Sequence, residues 1–124
     1  MCITFKIDIP FGVVFSFWSG DVGKDEMARH WKTMLSNKDA RVCGKSLVDL
    51  GNSHPDFNIE GLSSFVFGTV GSTSNATKWK SAIVARTPFQ YGAARQYQVL
   101  VSKYIDVNVF TDEISALEWI RLPE

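Results

Sequence analysis

The 124-residue sequence predicts an open α/β domain, a mostly parallel five-stranded sheet with an antiparallel hairpin at its N-terminal edge. Three observations carry that expectation. Two strand-like runs precede any helical pattern, which makes a hairpin the simplest start. Helical and strand patterns then alternate, the order that crossover connections require. Over residues 80–104 a short apolar run passes directly into a helical pattern, with Thr87 placed to cap the helix and Pro88 to begin it.

The length suits one domain, residues 1–124, with one core. With 45% apolar and 21% charged residues, composition is that of a globular chain and argues against disorder. Lysine plus arginine number 13 and aspartate plus glutamate 13, so the formal net charge is zero and no stretch concentrates one sign. That balance removes the electrostatic case for nucleic acid and weakens that for a polybasic membrane patch, while an apolar mode of membrane contact stays open. Cys2 and Cys43 are too few for a disulfide framework and lack metal-ligand spacing, so no metal or cofactor is expected. The apolar run 11–18 is too short to span a bilayer and has no basic entry. The expected location is cytoplasmic, with peripheral membrane contact as the alternative.

Each element has its own signal. Residues 2–9 alternate, with Ile3, Phe5, Ile7 and Ile9 on one side and Thr4, Lys6 and Asp8 on the other, as an edge strand does. Pro10 and Gly12 bracket a reversal, and 13–18 is apolar on both faces, placing the second strand nearer the middle. A helix over about 24–36 shows Met27, Trp31, Met34 and Leu35 at helical spacing, with His30 read as a solvated residue outside that stripe. Residues 45–50 form the third strand. A second helix is expected over about 59–70, unusually apolar, with Phe65 and Phe67 flanking a face of Ile59, Leu62, Val66 and Val70. Residues 71–77 (GSTSNAT) read as a flexible loop without the lysine or spacing of a phosphate-binding loop. The strand 81–86 follows, then the helix begun at Pro88, with an expected stripe of Phe89, Ala93, Tyr97 and Leu100. A strand over 107–110 and a helix capped by Thr111 or Asp112, fixed by Leu117 and Ile120, complete the chain.

Several segments, in this order, resemble the SpoIIAA-like family of STAS-related bacterial proteins. They are Phe17-Trp18-Ser19-Gly20-Asp21-Val22, Leu47-Val48-Asp49-Leu50, Ala82-Ile83-Val84, Tyr91-Gly92-Ala93-Ala94-Arg95-Gln96-Tyr97, and Val109-Phe110-Thr111-Asp112 leading to Ala116-Leu117-Glu118-Trp119-Ile120. The resemblance implies a non-enzymatic STAS-type domain that binds or regulates. It also brings a comparison with the lipid-binding CRAL-TRIO proteins, in which a mobile helix opens an apolar site. STAS antagonists are switched at a serine after the strand that here ends at Leu50. Ser53 occupies that region and is the candidate phosphoswitch, but the turn lacks the Asp-Ser-Ser-Gly-like context.

Three functional readings follow. The first is a binding or regulatory module with a protein partner, self-association into a homo-oligomer included. The second is an apolar small-molecule or lipid-binding protein, with Leu62, Phe65 and Phe67 as the ligand or membrane surface beside the 71–77 loop. The third, an enzyme built on Asp49, Ser53 and His54 with Cys43, is disfavoured because neighbouring Ser53 and His54 do not make a triad. Arg95 is the one further residue marked for a functional test.

Overall fold

A computed structural model describes residues 3–55, 68 and 79–122. The expected helix over 59–70 and loop over 71–77, with Leu62, Phe65 and Phe67, lie outside the described residues.

Strands β1 (Ile3–Asp8) and β2 (Val13–Trp18) form the antiparallel hairpin, Ile3 opposite Trp18 and Asp8 opposite Val13. Its turn closes where Gly12, at φ +79°, donates its N–H to the Asp8 and Ile9 carbonyls, while the Asp8 carboxylate accepts from the Phe11 N–H. Strands β4 (Lys45–Asp49), β6 (Lys80–Val84) and β7 (Asp106–Phe110) extend the sheet in parallel, giving the order β1-β2-β4-β6-β7. Two further strands of two residues each, β3 (Asp21–Val22) and β5 (His54–Pro55), pair in parallel beside it.

Four helices lie among the described residues: α1 (Lys24–Ser36), α2 (Lys38–Cys43), α3 (Pro88–Val101) and α4 (Glu113–Arg121). Helix α2 has no counterpart in the sequence expectations. It is six residues long, too short to show a period, and is defined by its ends: the Asn37 side chain accepts from the Asp39 and Ala40 N–H groups, and Gly44 closes it in the left-handed conformation. The α3 start is as expected, with Thr87 accepting from the Gln90 N–H and Pro88 in the first turn. Its inward face is so only in part. Phe89 is 52% exposed, and Tyr97 and Leu100 do pack on the core as expected, but the most deeply buried positions are Gln90, Ala94 and Val101, one residue along.

Alternation along the strands divides the core into two layers. Val14, Val48, Ile83, Val107 and Val109 face α1, α2 and α3, where Met27, Trp31, Met34, Ala94 and Val101 pack on them. Val13, Leu47, Ala82 and Val84 face the other way and are covered by Ala116 and Ile120 of α4. Strand β6 is buried along its whole length, as a strand covered on both faces must be.

Lys80 belongs to this second layer. Although only 4% exposed, its ammonium group donates to the Trp119 and Leu122 carbonyls at 3.0 and 3.1 Å and lies 4.4 Å from the centre of the Trp119 ring. It thus meets carbonyls at the C-terminal end of α4, where the helix dipole favours a cation. Lys80→Met keeps the apolar stem but removes the donors. We expect a loss of about 2 kcal/mol, the size of hydrogen bonds made by a charged group, read as a lower urea midpoint with unchanged slope; an unaltered midpoint would show that the contact contributes nothing.

Candidate functional site

The ends of β4 and β6 carry most of the polar residues that the sequence put forward. Asp49 forms a two-pronged ion pair with Arg86, Nε to Oδ1 at 3.1 Å and Nη2 to Oδ2 at 2.8 Å, and its Oδ1 also accepts from the Gly51 N–H. Hydrogen bonding from Arg86 holds the Asp49 carboxyl below the ordinary carboxylate range. The chain then turns through Gly51, at φ +51°, where a Cβ would stand 2.7 Å from the Trp18 carbonyl oxygen, so glycine is required there.

Gln90, 1% exposed, ties this turn to the helix. Its amide NH₂ lies 2.7 Å from the Ser53 carbonyl, 3.1 Å from that of Gly51 and 3.4 Å from that of Leu50, and its carbonyl oxygen accepts from the Arg86 N–H at 2.6 Å. Three carbonyls on one side and an N–H on the other fix which way the amide points. The loops after β4 and β6 are thereby joined by one side chain that polarity alone would have placed in solvent.

Ser53 is 5% exposed with its hydroxyl buried and unpartnered, and His54 stacks on the Phe89 ring at 4.5 Å with the planes 5° apart. Among the described residues no hydrogen bond joins the side chains of Asp49, Ser53 and His54. Cys43 lies before β4 and Asp49 at its far end, so a five-residue strand, roughly 16 Å at about 3.3 Å per residue, separates them. Burial, then the charges of Asp39 and Asp8, push the Cys43 thiol up, away from the reactive thiolate. Arg95 is exposed and donates to Gln98 of its own helix.

The concave site lies elsewhere, between the sheet and helices α1 and α3. A partly open cavity of about 80 Å³ is walled by Met27, His30, Trp31 and Met34 from α1 and by Ala93, Ala94 and Tyr97 from α3. Its sheet side is Trp18, Ser46, Val48, Ser81 and Ile83, with Leu50 and Pro55 at the turn that Gln90 holds. Aromatic and aliphatic groups dominate, and among the described lining residues there is no Lys, Arg, Asp or Glu. Small residues at 93 and 94 keep α3 from filling the space.

His30 corrects the sequence expectation. Positions 27, 30, 31 and 34 are separated by three and four residues, so His30 lies on the buried stripe and not beside it. Its Nε2 is 3.2 Å from the Ser16 hydroxyl and its ring meets Phe5 edge-on. Burial lowers its pKa to about 4, so the imidazole is neutral at pH 7. Burial likewise pushes the Tyr97 phenol up, keeping it protonated. Behind the cavity the indole N–H of Trp79 donates to Ser46 Oγ at 3.0 Å, and the Ser46 and Ser81 hydroxyls are bonded to each other at 3.1 Å. The signal for this ladder was present in the sequence as serines at 46 and 81, breaking otherwise apolar strands. Among the described residues no cluster of His, Cys, Asp or Glu could hold a metal ion, and no helix is long and apolar enough to cross a membrane.

Sheet order, hairpin edge and helical layering define an α/β domain of the SpoIIAA-like type. The solved structure of an uncharacterised DUF3478-family protein with a SpoIIAA-like fold, from Shewanella loihica PV-4, superposes with a TM-score of 0.61. The alignment covers 95% of this chain and 93% of that one at 15% identity, so the two share a fold. No protein-family model and no curated protein matches the chain.

Proposed function

We propose that this chain is a non-enzymatic binding domain whose site is the cavity between the sheet, α1 and α3, and that its ligand is a small apolar molecule or the apolar end of a larger one. The observation that carries this is a space whose described lining is uncharged, set within the core layer between sheet and helices. Apolar cavities of comparable scale take up small apolar guests because the lining atoms gain contacts they otherwise lack. The reading as a binding domain is supported by the use of Asp49, Arg86 and Gln90 in holding loops together, which leaves them committed to structure.

Xenon tests the site without presupposing a ligand. Under xenon pressure the methyl resonances of Met27, Met34, Val48 and Ile83 are expected to shift in a saturable manner, while Val13 and Leu47 on the opposite layer do not. Ala93→Leu, which fills the space from α3, should abolish the response. Shifts of equal size in both layers, or none, would overturn the proposal.

A further inference from the structure

The hydrogen-bond ladder in the cavity wall does not close. The Trp79 indole and the Ser46 and Ser81 hydroxyls together carry three donor hydrogens. Two are used, one from Trp79 to Ser46 and one between the serines. Whichever serine donates to the other, one hydroxyl hydrogen is left with no acceptor among the described residues. Both serines line the cavity and both are buried, so among the described surroundings the cavity is the space from which an oxygen can reach the spare donor. Trp18, another wall residue, also has its indole N–H buried with no partner among the described residues. Among the described residues, the unspent hydrogens of this wall thus come from a serine hydroxyl and the Trp18 indole.

Charge narrows the occupant further. Among the described residues no lining side chain is an acid or a permanent cation, and neutral His30 offers no counter-charge. A carboxylate or ammonium taken into such a space would lose its hydration uncompensated, at a cost far above what one hydrogen bond returns. A neutral carbonyl, ester or ether oxygen, by contrast, has a far smaller desolvation cost than an ion, and the spare hydrogen it accepts offsets that cost.

Resting on the cavity being the binding site, we propose that it selects neutral, mostly apolar molecules with a hydrogen-bond-accepting oxygen, which takes the unspent hydroxyl hydrogen of the Ser46–Ser81 pair. Charged amphiphiles such as ionised fatty acids are then poor ligands.

A shape-matched pair tests this: cyclopentanone and methylenecyclopentane, which differ in C=O against C=CH₂, titrated against the Met27 and Met34 methyl resonances. The ketone is expected to bind about tenfold more tightly, the ratio that one buried hydrogen bond supports. Ser46→Ala/Ser81→Ala frees the Trp79 N–H in turn, so Trp79→Phe is added to the double variant, and the ratio should then fall towards one. Equal affinities in the wild-type protein, as when water satisfies the hydroxyl, would overturn this selectivity and leave the cavity standing as an apolar site. If neither compound shifts the methyls and xenon does not either, the site itself is wrong. The wild-type ratio decides the matter even if the triple variant fails to fold.

Discussion

Gln90→Leu is expected to lower stability by about 3 kcal/mol, the combined effect of leaving buried backbone groups unpaired. Leucine nearly matches the volume, so packing changes little, and the loss isolates the amide. It strands the Ser53 and Gly51 carbonyls and the Arg86 N–H, all of which Gln90 now serves. Gln90→Glu provides the sharper control. It has the same shape, but a carboxylate in place of the NH₂ would confront carbonyl oxygens at 2.7 and 3.1 Å, so it should be at least as damaging at pH 7. Urea unfolding gives the magnitude, and amide exchange locates it: the Ser53 and His54 N–H groups, bonded to the Leu50 and Gly20 carbonyls, should lose protection first. A loss below about 1 kcal/mol, the range of ordinary substitutions, would mean that water replaces the amide and that the turn holds without it. The turn carries Leu50 and Pro55 into the cavity wall, so loosening it should also weaken xenon uptake.

Why Gln90 escaped sequence reading shows where that reading ends. The strands, the hairpin, α1 and the start of α3 follow from period, turn residues and caps, all of which act over a few neighbouring positions. A polar residue that faces inward to serve two loops, one of them 37 to 39 positions away, has no local signature. Phe89 looked like the core residue because hydrophobicity was the only available criterion; it is instead exposed, stacked on His54. Strands β3 and β5, two residues each, are shorter than any periodicity. The cavity belongs to no single segment. Its wall needs α1, α3 and four strands at once, and the readable trace was two serines in buried strand positions. His30 differs, because its spacing from Met27 and Met34 was there to be read.

That histidine should make the fold acid-sensitive well above the carboxylate range. In the unfolded chain an imidazole takes up its proton near pH 6.5, whereas burial in the folded protein delays uptake to about pH 4. Between those values the unfolded state binds more protons, so stability is fully present above pH 6.5 and falls as the pH drops towards 4. The loss by pH 4 is expected to be about 3 kcal/mol, at 1.36 kcal/mol for each pKa unit. Asp49, whose carboxyl is held down by Arg86, acts in the same direction but only at lower pH, within and below the carboxylate range. His30→Gln separates the two, since glutamine can still bond Ser16 and does not titrate. Urea midpoints measured from pH 7 to pH 4 should fall steeply in the wild-type protein and much less in the variant. Parallel profiles would show that His30 is as readily protonated folded as unfolded. Protonation would also put a charge into a wall that has none among its described residues, so xenon uptake should decline over the same interval in the wild-type protein and persist in His30→Gln.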